Sequence, residues 1–332
     1  MRAAVLLRRL ALTGFALCLV VVVLGAYVRL TAAGLGCPDW PGCYGRATPL
    51  DIAQSATAQV TPDTGKAWRE MIHRYAAGTL GLIIIAIGLI AIVTRRQRII
   101  GVGYAAFLVA ILFLQASLGM LTVTLRLTPL IVTLHLLFGM TTLALLAWLV
   151  LGTATKVAPA APFVRRLTLP ALVVLALQIA LGGWTSSHYA ATACPDFPTC
   201  QNAWWPPTDF KDAFVLWPGT TTSYEGGLLD APARAAIQMT HRLGACAATL
   251  MLVLATYFTL RKPVASAARR AAWLVLTFLA LQLGIAVSMV VEGFPLWLAT
   301  AHNAAAACLL VATLALYKTL GPPPAAPAGS GA

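Results

Sequence analysis

Charge is scarce in this sequence. Only 10% of its 332 residues are charged, against about 25% in an ordinary soluble domain, while 60% are hydrophobic and the mean hydropathy is +0.83. That shortage excludes a water-soluble globular chain and leaves an integral membrane protein. Acidic residues are scarcer still, with 10 in all and none before Asp39. The 23 basic residues lie in short loops with no base-stacking aromatics between them, so the net charge of +13 does not mark a nucleic-acid partner. Histidine is also rare: there are five, and each has to be accounted for.

Long apolar runs are what the chain has in quantity. A hydrocarbon core about 30 Å thick takes roughly 20 apolar residues of helix, and eight runs qualify, near 11–28, 75–94, 99–125, 129–152, 167–189, 243–260, 271–291 and 296–317. An even number of spans puts both termini on one side. That side carries Arg2, Arg8, Arg9, Arg95, Arg96, Arg98, Lys156, Arg165, Arg166, Arg261, Lys262, Arg269, Arg270 and Lys318, which are 14 of the 23 basic residues. The bias makes it the cytoplasm. All ten acidic residues, from Asp39 to Glu292, fall on or near the other side. Met1 to Arg9 followed by an apolar run resembles a secretory signal, and "LGC" before Cys37 resembles a lipoprotein cleavage site. The run is long for a signal, and the same cysteine word recurs far downstream, so it is expected to remain as the first span.

That word is CPDWPGC at Cys37–Cys43 and CPDFPTC at Cys194–Cys200. Around it the two halves align: MIHRYAAGTLG at His73 answers to QMTHRLGACAA at His241, and Gln115 to His135 spans 20 residues, as Gln282 to His302 does. The offsets are 241 − 73 = 168 and 302 − 135 = 167. The expected fold is therefore all-α and membrane-embedded, with eight transmembrane helices arranged as two tandem four-helix bundles in parallel repeat. The units cover 10–152 and 167–318, with a cytoplasmic linker at 153–166 and a disordered tail at 319–332. Because four is even, both units enter the membrane in the same direction, unlike inverted repeats.

In each unit the first outer loop holds a cysteine pair, in a compartment oxidising enough for disulfides. Two prolines within five intervening residues make a small closed ring feasible. The pair either staples the loop or passes electrons to something bound below it. Zinc does not fit, because no histidine lies nearby. Cys18, Cys246 and Cys308 fall in helices and read as packing residues.

Four of the five histidines occupy repeat-equivalent places. His73 and His241 stand near the outer ends of second helices, and His135 and His302 one or two turns into fourth helices. Polar rings in hydrocarbon tend to mark function, and facing histidines in a four-helix bundle can hold haem iron from both sides. Buried hydrogen bonding or a proton path are the alternatives. Arg74 and Arg242, each following its histidine, could meet haem propionates or anchor a helix end to lipid phosphate. His188 aligns with Thr31 and reads as structural. The halves differ three residues before the first histidine, where Glu70 stands in one and Gln238 in the other. An i, i+3 spacing shares a helix face, so one site alone gains a carboxylate, able to act as a base or to stabilise positive charge. A helix N-terminal glutamate favoured by the dipole is the plainer reading.

GAYVRLTAAGLGCPDWPGCYG, Glu70-Met-Ile-His73-Arg74, His135, His241-Arg242 and His302, spread over eight helices, together resemble the haem A synthase family across nearly the whole chain. The resemblance implies an oxidoreductase that oxidises the carbon-eight methyl of haem O to a formyl group through a hydroxylated intermediate. It implies that the N-terminal unit binds substrate haem through His73 and His135 with Glu70 as the key carboxylate, and that the C-terminal unit holds haem b between His241 and His302. It further implies haem O synthase and a terminal oxidase as partners in assembly, and an electron carrier it does not identify. The complete second pair, Cys194 and Cys200, is less general in that family. A non-catalytic di-haem electron-transfer cytochrome is the competing reading. A transporter is disfavoured, because no charged residue stands at mid-membrane.

Overall fold

The computed structural model describes residues 2–50, 62–97, 99–154, 162–219 and 222–321. Arg98, Lys156, most of the expected linker (155–161) and the expected tail from 322 onward lie outside them. Among the described residues the chain is helical without a sheet: α1 Arg2–Leu30, α2 Thr64–Val93, α3 Val102–Thr124, α4 Pro129–Ala154, α5 Pro162–Ser187, the single turn α6 Phe210–Ala213, α7 Ala231–Arg261, α8 Ser266–Val291 and α9 Leu296–Thr319. All but α6 are long and apolar enough to cross a membrane.

The largest departures from the expected spans are at α2 and α7, which begin 11 and 12 residues earlier than hydropathy places them. The cause is local. The Asp63 side chain accepts from the Lys66 N–H at 2.9 Å and the Asp230 side chain from the Ala233 N–H at 3.0 Å, so an N-cap fixes each start ahead of the apolar stretch. His73 is therefore the tenth residue of its helix and His241 the eleventh, rather than near the outer ends. At about 1.5 Å per residue both lie roughly 14–15 Å from the helix start. Helix α9 continues to Thr319, so the expected tail begins later than 319, and α4 and α5 extend into the expected linker.

Helix α1 packs on α2, α2 on α3, α3 on α4 and α4 back on α1. Helices α5, α7, α8 and α9 close a second ring in the same order. The rings meet through α1 with α9, α4 with α5, and α4 with α9, so first and fourth helices form the seam, as a repeat about an axis along the membrane normal would have it. The ends agree in direction. The Tyr224 N–H donates to the Arg126 carbonyl at 3.0 Å and Lys66 pairs with Glu225 at 3.6 Å at the cysteine-loop end. Arg165 donates to the Tyr317 hydroxyl at 2.8 Å at the other.

One apolar cluster runs through both units, including Ile84, Ile87, Leu108, Leu143 and Leu146 of the first and Val164, Leu252, Leu309 and Leu316 of the second. Every membrane-crossing helix contributes to it, mostly from the half away from the cysteine loops. Three smaller apolar clusters pack beneath the loops at the other end. Cys18 is buried in this core, whereas Cys246 is exposed on α7 and does not pack as expected.

Candidate functional site

The four histidines come from diagonally opposite helices. His73 on α2 and His135 on α4 face across the first ring, and His241 on α7 and His302 on α9 across the second. All four histidines are half-buried within the bundles. His188 behaves differently: it is 5% exposed and its ring centroid lies 4.5 Å from that of Trp184. Burial, and secondarily the Arg29 charge, lowers its pKa to about 4, as befits a neutral packing residue.

Glycines give the imidazoles room. A Cβ on Gly25 of α1 would stand 3.0 Å from His73 Cε1, and one on Gly182 of α5 would stand 3.3 Å from His241 Cε1. Gly25 and Gly182 are 157 residues apart, the same offset as Cys37 and Cys194. On the fourth-helix side, a Cβ on Gly119 would lie 3.2 Å from His135 Cε1. His73 Nδ1 and His135 Nδ1 are buried without a side-chain partner, with the backbone of Val21 beside His73 and that of Gln115 beside His135. No group of three or more His, Cys, Asp or Glu that could hold a bare metal ion occurs among the described residues. Two histidines across a bundle are a donor set that would suit a haem, whose porphyrin would supply the remaining donors.

The cysteine loops sit directly on the histidine helices. Cys37 and Cys43 are joined with S–S 2.03 Å, and Cys194 and Cys200 with S–S 1.97 Å. The shared Asp of the word supports the turn that follows it. Asp39 accepts from the N–H groups of Tyr44 and Gly45 at 2.6 and 2.8 Å, and Asp196 from those of Gln201 and Asn202 at 2.6 and 3.0 Å. Those four residues have φ of 54°, 72°, 55° and 60°. Each loop thus makes a tight turn with two left-handed residues, closed by paired backbone bonds between Cys43 and Arg46 and between Cys200 and Ala203.

Arg74 and Arg242 clamp these loops. Arg74 Nη1 donates to the carbonyls of Asp39, Pro41 and Gly42 at 2.9, 3.2 and 2.6 Å. Arg242 donates to those of Thr199 and Asp196 at 2.7 and 2.8 Å, with longer contacts to Pro198 and Cys194. Both guanidinium groups thus hold loop carbonyls, and Arg74 also pairs with Glu70.

Glu70 is 4% exposed and is the seventh residue of α2, which removes the helix-dipole explanation. One carboxylate oxygen accepts from the Cys37 N–H at 2.9 Å, and the other pairs with Arg74. Gln238 is 6% exposed, and its Oε1 is buried without a partner. The two sites therefore share their histidine framework and differ in this charge. Of the aromatics after Cys200, Trp204 is 75% exposed and Trp205 is 55% exposed.

Missing from the sequence reading were Gly25, Gly182 and Gln178, although the 157-residue offset already established by the cysteine word would have paired the two glycines. The Gln178 amide nitrogen lies 3.1 Å from His241 Nδ1, and that of Gln282 lies 3.3 Å from His302 Nδ1 and 3.1 Å from its Nε2.

A profile of the COX15-CtaA family, described as cytochrome oxidase assembly protein, matches residues 8–314. A heme A synthase of Shewanella oneidensis is 40% identical over 307 residues, covering 88% of this chain and 90% of that protein. A heme A synthase of Methylobacterium sp. is 27% identical over 338 residues, covering 93% and 90%. One of Methylobacterium radiotolerans is 29% identical over 322 residues, covering 89% and 84%.

Proposed function

The chain belongs to the COX15-CtaA family of cytochrome oxidase assembly proteins, and from that premise we propose that it is an oxidoreductase converting haem O to haem A. The substrate's carbon-eight methyl becomes a formyl group by way of a hydroxymethyl intermediate. With water as the oxygen source the conversion releases four electrons and four protons, which pass to an electron carrier outside this chain. His73 and His135 hold the substrate haem, and His241 and His302 hold a resident haem b. When bound, haem b supplies one-electron transfer. Haem O synthase and the terminal oxidase are the expected neighbours on either side of the reaction, and the cysteine loops face the outer compartment.

The observation that carries this reading is the single carboxylate. Glu70 lies one turn before His73 on the same face, buried and held at both oxygens, while the matched place in the other ring holds an amide. A negative charge fixed there stabilises positive charge developing on the substrate and offers a proton acceptor. Gln238 can do neither.

The test is to express the full chain in a host that supplies haem O, purify it in detergent, and identify each extracted haem by chromatography and mass. Haem b together with haem A or hydroxylated haem O is expected, whereas haem b alone would favour the electron-transfer cytochrome. Glu70→Gln keeps an acceptor for the Cys37 N–H and removes only the charge, so it should retain haem b and make no haem A. Normal haem A from Glu70→Gln would remove the catalytic role.

A further inference from the structure

Of the 14 basic residues gathered at the end away from the cysteine loops, Arg98 and Lys156 lie outside the described residues, and ten of the remaining 12 are exposed. Arg165 and Lys318 are the two that are not; each is half-buried where the units meet. Arg165, the fourth residue of α5, donates to the Tyr317 hydroxyl at 2.8 Å and lies 4.5 Å from the centroid of that ring. Lys318, the next residue of α9, donates to the Trp148 carbonyl of α4 at 2.5 Å and lies 4.2 Å from the Trp148 ring. The two aromatic rings are 6.5 Å apart, so one tyrosine–tryptophan pair gathers both cations across the seam. Snorkelling does not account for this, since it carries charged heads outward to water, and here both turn in over rings. Gly152 of α4 leaves room for the ammonium, because a Cβ there would stand 3.1 Å from Lys318 Nζ. No side-chain carboxylate is at hand to neutralise the pair: no Asp or Glu occurs between Glu70 and Asp196 or after Glu292, so α4, α5 and α9 carry none. Arg165 Nε is buried with no partner, and the Trp148 carbonyl takes one of three lysine donors. The repeat does not reproduce the arrangement. Arg8, 157 places before Arg165, is exposed, and the residues 167 places before Tyr317 and Lys318 are Val150 and Leu151.

We propose that this seam binds the phosphate of an anionic phospholipid head group, held by Arg165 and Lys318 between α4, α5 and α9. The level is right for a head group, because Arg165 stands in the first turn of α5 and Lys318 one residue before the end of α9. Basic pockets between spanning helices take such head groups, and a phosphate brings the negative charge that these three helices lack. The guanidinium offers paired donors to phosphate oxygens and the ammonium a point charge. Neither cation is fully enclosed, so a lipid alongside the helices can reach them. The bound lipid braces α5 and α9 of the second unit against α4 of the first. Free phosphate has the same chemistry, and the experiment separates the two sources.

The experiment uses the full-length protein, purified in a non-ionic detergent and washed free of lipid. Short-chain phosphatidylglycerol, short-chain phosphatidylcholine and inorganic phosphate are titrated in separately and followed by calorimetry. Phosphatidylglycerol is expected to bind about tenfold more tightly than phosphatidylcholine. Arg165→Gln and Lys318→Gln should each weaken it about tenfold, the loss of one charge-assisted contact. Arg269→Gln removes an exposed cation at the same end and should leave the affinity unchanged. Tyr317→Phe keeps both charges and removes only the hydroxyl that aims the guanidinium, so its loss should be smaller; with Lys318→Gln it keeps the test open should Arg165→Gln fail to fold. Equal affinity for the two lipids in wild type, or a loss in Arg269→Gln as large as in Arg165→Gln, would leave only diffuse attraction and overturn the proposal. Inorganic phosphate that binds as tightly as phosphatidylglycerol, with the same losses in both variants, would make the ligand a free phosphate and overturn the assignment to lipid.

Discussion

At the scale of single residues, the chain uses small side chains and fixed charges to set out two similar sites and then make them unequal. Gly25 and Gly182 are the shared part. An added Cβ at 3.0 Å from His73 Cε1 is tighter than ordinary contact, so the imidazole has to give by a few tenths of an ångström. Gly25→Ala is expected to weaken haem binding in the N-terminal site by about 1–3 kcal/mol, the usual range for overpacking. Gly182→Ala, at 3.3 Å, should cost less. Haem retention after gel filtration checks this, with the untouched site of each variant as internal control; equal retention in wild type and Gly25→Ala would contradict it. The histidines and Glu70 were legible in the sequence because rare polar residues recur at one offset. Gln178 was not, because it breaks the repeat: a glutamine aligned with a valine carries no signal until the two places are superposed in space. For the arginines the sequence shows a cation next to a candidate ligand, and only the folded loop shows the backbone carbonyls that it holds.

At the scale of elements, the helices were predictable in number and order and misplaced at two starts. Hydropathy detects where a helix enters hydrocarbon, whereas Asp63 and Asp230 decide where it begins. The extra outer turns matter, since they carry Glu70 and Gln238 and receive the cysteine loops. Each loop is a rigid piece made by a disulfide, a capped two-residue turn and an arginine clamp. The aspartate is the least redundant part. Hydrogen bonds from the Thr199 hydroxyl, then from the Asn202 and Gln201 N–H groups, lower the pKa of Asp196 below its ordinary 3.8. A carboxylate with a depressed folded pKa contributes stability above its unfolded value and loses it as pH falls through the folded one. The second loop should therefore hold its turn at every pH above about 4 and loosen only below the carboxylate range. Asp196→Ala should loosen it at neutral pH as well. Reduction of Cys194–Cys200 by a phosphine, followed against pH, reads this out: the variant should reduce faster than wild type near pH 7 and converge with it in acid. Identical rates near pH 7 would show that the disulfide and Arg242 hold the turn unaided.

At the scale of the whole molecule, two closed rings share one apolar core that lies mostly in their inner halves, and the four histidines stand on the other side of it, toward the cysteine loops. Parallel repetition follows from the even helix number, and the seam of first and fourth helices puts both sites at the same level beneath the same end. Two haems held as proposed would stand at one level, and one compartment would cover both disulfides. The orientation rests on the basic residues of the short loops and is open to direct test. In a chain with Cys18, Cys246 and Cys308 replaced by alanine, Lys211→Cys lies in the long loop after the second cysteine pair, and Lys262→Cys in the short turn between α7 and α8; both lysines are exposed. An impermeant maleimide applied to intact spheroplasts should modify position 211 and spare 262. The reverse pattern would put the cysteine loops in the cytoplasm, where thiols are kept reduced. The closed rings clamped by Arg74 and Arg242 would then not persist, and Glu70 would lose the loop whose N–H group holds it.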